Sequence, residues 1–323
     1  MHILFLTTRL PFPPVGGERL RPFYFIKYLS QKHKITLLSF IERKEELDVL
    51  RDYESKSIEI ETVYLPRLYS YLNCLSGLIL SLPLQISYYA SRRMSDLIHQ
   101  RIGQKKIDLV FCHLVRMADY LKDIRVKKVL DLSDALSLRY CFSSRYRKGI
   151  FRLIETLEYK RLKGYEPKIA SYFDLNLVAS KIDQRYFENE LNIHNLYCLP
   201  NGVEIEEGYR NLKFDPKKIV FFANFRAYPN QDAIVYFYKQ IFPFIKKELK
   251  DIRLSLVGAQ IPRYLKDLFR NNKSIELYSD VLDIRPYIQD ACVSVAPMRI
   301  SVGIQNKILQ SMALKVPVVA TSI

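Results

Sequence analysis

The sequence predicts an α/β protein of two domains, each a doubly wound parallel sheet. Three observations carry that expectation. Short continuous apolar runs, such as residues 2–7 (HILFLT), 34–40 (KITLLSF) and 218–223 (KIVFFA), read as strands buried on both faces. These runs alternate with longer charged or amphipathic stretches, the βαβ rhythm of a parallel sheet. At 323 residues the chain is also long for one small core, so two domains are the natural division.

Composition narrows the class. A hydrophobic fraction of 49% beside 26% charged residues describes a globular chain, not a disordered one. The formal net charge of +16 implies an anionic partner: nucleic acid, phospholipid, or the phosphates of a nucleotide or lipid. Cys74, Cys112, Cys141, Cys198 and Cys292 are scattered without metal-ligand spacing and read as buried thiols of a reducing compartment. Met1 leads straight into a strand with no secretory leader, and the longest apolar stretch, residues 71–84, is short and interrupted for a bilayer span. The expectation is a cytoplasmic protein that meets membrane only at a surface.

Taken in order, the first strand at 2–7 is followed by three prolines that keep the chain out of helix up to Pro14. Gly16 and Gly17 then permit close backbone approach before a helix over 19–31. Strand, glycine turn and helix form either a plain turn or a phosphate cradle. Residues 42–53 read as a charged helix, and 58–65 as a third strand. The leucine- and tyrosine-rich stretch 67–93 ends in Arg92 and Arg93. It fits amphipathic helices lying on a bilayer, or a helical hairpin packed on its own domain. A fourth strand at 108–113 ends in His113, and a fifth spans 128–132. Ser133 is placed to cap a long helix rich in Arg and Lys, a solvated face or a docking surface for anionic lipid. No helix-turn-helix, zinc-finger or aromatic RNA-binding signature accompanies that charge, so nucleic acid is not the expected partner.

Short strands at 174–179 and 196–199 precede the turn Pro200-Asn201-Gly202 and the polar segment 204–218. A boundary here gives domains 1–205 and 206–323. The second domain repeats the rhythm with strands at 218–223, 254–258 and 275–278. It closes on a strand at 292–296, a loop carrying Gly303, a helix over 305–314 and a strand at 316–320. The loop lies at the carboxyl end of a parallel strand, where open sheets bind ligands. The helix start offers free backbone N–H groups, and Arg299 and Lys307 add positive charge, so residues 303–307 suit an anionic ligand.

The motifs PPVGG (13–17), PNGV (200–203), YPNQDA (228–233), DIRPY (283–287) and GIQNKILQSMA (303–313) resemble, in order and spacing, those of glycosyltransferase family 4. This is a family of GT-B fold, and the likeness is greatest to sugar transferases of exopolysaccharide clusters. It runs the length of the chain. It implies a retaining transfer of sugar from a nucleotide-sugar donor to a lipid-linked or polysaccharide acceptor at the anionic inner face of the membrane, with no metal or other cofactor. It further implies His113 beside the transferred sugar, and a donor site of Gly16, Gly17, Asn224, Arg226, Val281, Arg299, Gly303, Ile304, Gln305, Asn306, Lys307 and Gln310. Val281 sits beside the base.

Four departures qualify the likeness. Ala223 stands where glycine is usual. Asn224 and Asn230 stand where an arginine and a lysine commonly hold the diphosphate, which shifts that work to Arg226, Arg299 and Lys307. Val302 and Gln310 replace the paired glutamates, and Gln310 lacks charge-assisted strength toward a ribose hydroxyl. Family members continue beyond the strand at which this chain stops, so the second domain reads as truncated. A non-catalytic binding or scaffold relative is the alternative reading.

Overall fold

The computed structural model describes residues 1–14, 17–48, 50, 53–205 and 214–322. Two compact units result: Met1–Pro200 with Val302–Ile304, and Asn201–Ser301 with Gln305–Ile323. Gly16 and most of the polar segment expected to link the domains lie outside the described residues.

The first unit contains strands β1 (His2–Thr7), β2 (Lys34–Ile41), β3 (Ile58–Tyr64), β4 (Leu109–His113), β5 (Lys128–Ser133), β6 (Leu175–Val178) and β7 (Leu196–Cys198). They form one sheet in the order β3-β2-β1-β4-β5-β6-β7, and all the pairings are parallel. Alternation along each strand sends side chains to opposite faces, which explains why these runs are apolar throughout. Leu4, Leu6, Val110 and Cys112 enter one core. Ile3, Phe5, Leu37 and Phe111 enter the other.

The connecting helices are α1 (Gly17–Leu29), α2 (Arg67–Ile79), α3 (Leu84–Ser87), α4 (Arg92–Gln104), α5 (Leu136–Tyr146), α6 (Gly149–Ala170) and α7 (Lys181–Leu191). Within the charged stretch 42–53 the described residues form a 3₁₀ turn, Lys44–Leu47, where the sequence suggested a helix. Glu46 closes that turn by accepting from the backbone N–H of Glu42 and Arg43.

The single long helix expected after Ser133 is two helices, and Ser133 is not their cap. It ends β5 in the left-handed region, with φ 62°. Glu166 of α6 does the capping instead. Its carboxylate accepts from the Ser137 N–H at 3.1 Å and the Ser137 hydroxyl at 2.5 Å, at the start of α5. Glu158, also on α6, accepts from Leu84 N–H and Gln85 N–H at 2.8 Å, at the start of α3. Arg161 donates to the carbonyls of Gly77 and Leu78 at the end of α2 and of Leu82 just beyond it. Anions meet helix starts and a cation meets a helix end, as the helix dipole favours. One helix thereby fixes three others.

The second unit repeats the plan with β8 (Asp215–Asn224), α8 (Tyr228–Tyr236), α9 (Phe242–Glu248), β9 (Arg253–Ala259), α10 (Arg263–Phe269), β10 (Ile275–Ser279), α11 (Arg285–Gln289), β11 (Ala291–Ala296), α12 (Asn306–Ala313) and β12 (Val318–Ala320). The strand order is β10-β9-β8-β11-β12, again parallel. Phe221, Leu254 and Leu256 fill one side of this sheet. Val220, Phe222 and Val257 fill the other.

Candidate functional site

Each sheet reverses its winding once, between β1 and β4 in the first unit and between β8 and β11 in the second. Crevices at the carboxyl ends of such strand pairs are where parallel sheets bind ligands. Both reversal points carry charged residues.

In the first unit, β4 ends in His113 and its register neighbour on β5 is Asp131. The His113 ring meets Asp131 Oδ2 through Nδ1 at 2.8 Å. A carboxylate can only accept, so Nδ1 carries a proton, and in the neutral form of the ring this leaves the lone pair at Nε2. That Nε2 is buried without a hydrogen-bond partner among the described residues. From α1, the Arg21 Nε donates to both oxygens of Asp131, at 3.0 and 2.9 Å, while its Nη1 donates to the Leu199 carbonyl. Side-chain exposures are 5% for Arg21, 2% for His113 and 0% for Asp131. Burial alone would raise the Asp131 pKa. The His113 hydrogen bond and the Arg21 charge outweigh it and hold the carboxyl below its ordinary value. The arrangement fixes one tautomer and one ring orientation and leaves an imidazole edge for a ligand. Gly17 opens α1 four residues before Arg21.

In the second unit the loops after β8 and β11 bring Asn224, Asn230, Asp232, Arg299 and Lys307 together. Lys307, in the first turn of α12, donates to Asn230 Oδ1 at 2.8 Å, reaches Met298 Sδ at 3.4 Å and lies over the Phe221 ring at 4.8 Å. No carboxylate pairs with it among the described residues. Desolvation lowers its pKa from 10.5 to about 7. Arg299 is different. Its Nε and Nη2 hold Asp232 at 3.0 and 2.6 Å, and its guanidinium stacks on Tyr236 at 4.6 Å. Its charge is therefore already matched by a carboxylate on α8.

At the start of α12, Gln305 occupies the cap position, but its side chain donates to Ser301 Oγ and does not cap the helix. Asn306, the next residue, accepts from Asn201 of the Pro200-Asn201-Gly202 turn at 3.0 Å. Gly303 takes φ 67°, which a side chain would resist, and with Ile304 it belongs to the short segment that groups with the first unit. Gln310 is one helical turn beyond Lys307 on α12.

The remaining predicted residues are placed as follows. Asn224 forms a turn, accepting from Arg226 N–H through Oδ1 and from Asn230 Nδ2 through its carbonyl. Arg226 is exposed. Val281 packs on the Val220 side of the sheet, beside the Tyr278 and Tyr287 rings, whose centroids are 4.5 Å apart. Sequence reasoning missed Arg21, Asp131, Asp232 and the role of Asn230 as the Lys307 partner. The one available signal was an aspartate inside the apolar strand KVLDLS, one strand over from the histidine. Among the described residues no three His, Cys, Asp or Glu side chains are grouped to hold a metal.

Residues 216–323 match the family model described as "Glycosyl transferases group 1". Over nearly its whole length the chain is similar to an uncharacterized 44.6 kDa protein in the cps region of Klebsiella pneumoniae. Identity is 23% over 335 residues, covering 99% of this chain and 83% of that one. Among solved structures, sucrose-phosphate synthase from Thermosynechococcus elongatus superposes with a TM-score of 0.72 at 14% identity, covering 100% of this chain and 81% of that one. HepE from Anabaena, in complex with UDP and glucose, gives 0.63 at 15% identity, covering 100% and 81%. At these identities the likeness shows the fold: two parallel-sheet α/β domains of the GT-B kind.

Proposed function

We propose that this chain is a retaining glycosyltransferase of family 4 type. It moves a sugar from a nucleotide-sugar donor to a lipid-linked or glycan acceptor in cell-surface polysaccharide synthesis, at the inner face of the membrane. The observation that carries the reading is Lys307. A desolvated ammonium with no carboxylate partner among the described residues, beside a helix start that its own N-cap side chain leaves uncapped, at a sheet's reversal point, is a standing demand for an anion. A donor diphosphate meets that demand. The group 1 family match over 216–323 and the UDP bound to the similar Anabaena structure support the nucleotide sugar. The cps-region relative supports polysaccharide synthesis.

In this reading Lys307 and the amides at the start of α12 stabilise the departing nucleoside diphosphate, and no metal is needed for that charge. Arg299, fixed by Asp232 and Tyr236, braces the loop that precedes α12. His113, oriented by Asp131, offers Nε2 as the acceptor for a sugar hydroxyl. Gln310 bonds a ribose hydroxyl as a neutral partner.

A thermal-shift panel of uridine, guanosine and adenosine diphosphates and their sugar conjugates tests the donor site. A ligand at a hundred times its dissociation constant stabilises by about 2.7 kcal/mol. One base class is expected to raise the midpoint, with sugar release or transfer following in a turnover assay. A folded chain that responds to none of them rules the reading out. Binding without turnover favours the non-catalytic relative, for which the neutral Gln310 is the specific motive.

A further inference from the structure

Helix α2 is built the wrong way round for a helix of a soluble domain. Its inward side is Ser70, Asn73, Cys74 and Gly77, at helical spacing, with Ser70 and Gly77 buried. Its outward side carries Leu68 (69% exposed), Leu72 (53%), Leu75 (59%) and Ile79 (85%). Isolated exposed leucines are ordinary, but a full stripe of them is not. The start of α6 shows the same excess: Ile150, Phe151 and Leu153 are each about 60% exposed or more. The two stripes approach each other where Arg161 of α6 holds the last carbonyls of α2: Ile150, Ile154, Leu157 and Arg161 share one helical face, and Ile154 and Leu157 are 40% and 38% exposed.

The charge around this surface is mostly positive, the acids near it being paired: Glu42 with Arg67 at the start of α2, and Glu155 with Arg147. Residues 62–95 contain no Asp or Glu. Exposed Arg145, Lys148 and Arg152 interleave with the apolar side chains at the start of α6. Glu158 and Glu166 of α6 are buried as helix caps. Tyr69 and Tyr71, both 62% exposed, add rings with an apolar body and a polar tip. Among the described residues no helix is long and apolar enough to cross a membrane.

We infer that the outward face of α2 and the first turns of α6 together form a docking surface that lies on an anionic bilayer, leucines in the acyl boundary and lysines and arginines at the phosphates. Apolar burial combined with attraction to acidic headgroups is the chemistry of interfacial helices, and both components are on this face. The inference gives a location to the membrane side of the proposed function, but it does not depend on sugar transfer.

The test is flotation of the full chain with vesicles of phosphatidylcholine, alone or with phosphatidylglycerol. The wild type is expected to float with the anionic vesicles, at least tenfold better than with the neutral ones, and to be released by salt. The pairs Leu75→Asp with Ile79→Asp, and Phe151→Asp with Leu153→Asp, are each expected to cut the bound fraction at least tenfold. Their nucleotide shifts should stay unchanged and their thermal midpoints should move little, because Leu75, Ile79 and Leu153 are 59%, 85% and 67% exposed and Phe151, 59% exposed, gives up mainly its contact with the Arg147 guanidinium. A wild type that does not float, or variants that float as well as it does, overturns the inference. So does a dimer in sedimentation velocity that the same pairs dissociate while vesicles leave it intact, which assigns the face to a second copy. The nucleotide panel is read separately, so failure of the donor site and failure of this surface are told apart.

Discussion

Lys307→Met is expected to weaken binding of UDP-glucose, or of whichever nucleotide sugar the panel selects, by roughly 10- to 100-fold, the worth of one hydrogen bond to a charged group. The same substitution is expected to stabilise the unliganded protein by roughly 0.5–2 kcal/mol, since it removes a charge from a poorly solvated place. The sign of the pH dependence follows from the lowered pKa. The unfolded lysine titrates near 10.5 and the folded one near 7, so between those values the unfolded chain binds more protons. Wild-type stability should therefore gain from this residue as pH rises from 7 toward 10, and the variant should lack that gain. Donor affinity runs the other way. The free ammonium loses its proton as pH rises through about 7, while the diphosphate of a sugar nucleotide does not titrate there. Affinity should fall by up to about tenfold per pH unit above neutrality. Calorimetric titrations at pH 6.5 and 8.5, with urea unfolding of both proteins at pH 7 and 9, measure all of this. Equal pH slopes for the two proteins would show that the amine is not desolvated.

The second large effect belongs to Asp131. Asp131→Ala leaves the Arg21 guanidinium and the His113 Nδ1–H without their shared acceptor in a site that water does not reach. Removing one partner of a buried ion pair costs roughly 3–5 kcal/mol, and that is the expected loss in urea unfolding of the first unit at pH 7. Asp131→Asn keeps an oxygen for one donor and should cost less. The carboxyl is held below its ordinary pKa, so its contribution is complete above the unfolded value, near 3.9. It is lost as pH falls through the lower folded one, and wild type and variant should converge in acid. A loss below about 1 kcal/mol at neutral pH would mean that the three side chains are not a mutually dependent unit.

Much of the fold was legible because parallel strands covered on both faces must be apolar at every position. Residues 2–7, 34–40 and 218–223 announce themselves that way, and the loop-helix at 303–314 follows from the strand before it. What stayed hidden depends on partners far away in the chain. Asp131 becomes meaningful only once β4 and β5 are paired, which sets it level with His113. Asn230 reads as a missing cation in sequence, yet it is the acceptor that holds Lys307, 77 positions later. Arg299 reads as a free charge, and the carboxylate that neutralises it is 67 positions earlier. Ser133 looked like a cap because caps are usually local. Here the cap is Glu166, 29 residues beyond the Ser137 it holds. Pattern reveals what periodicity enforces, and these residues obey no period.

The packing of α2 also reverses the usual guide to which positions tolerate change. In most helices the large apolar residues are constrained and the small polar ones drift. On α2 a methyl group added at Gly77 would lie 2.0 Å from the Ser87 hydroxyl, whereas Leu75 and Ile79 touch little of their own domain. Among relatives that keep this helix, the glycine and serine positions should hold their small size. The leucine positions should be free to exchange among apolar residues, or to become polar in any relative that works away from a membrane.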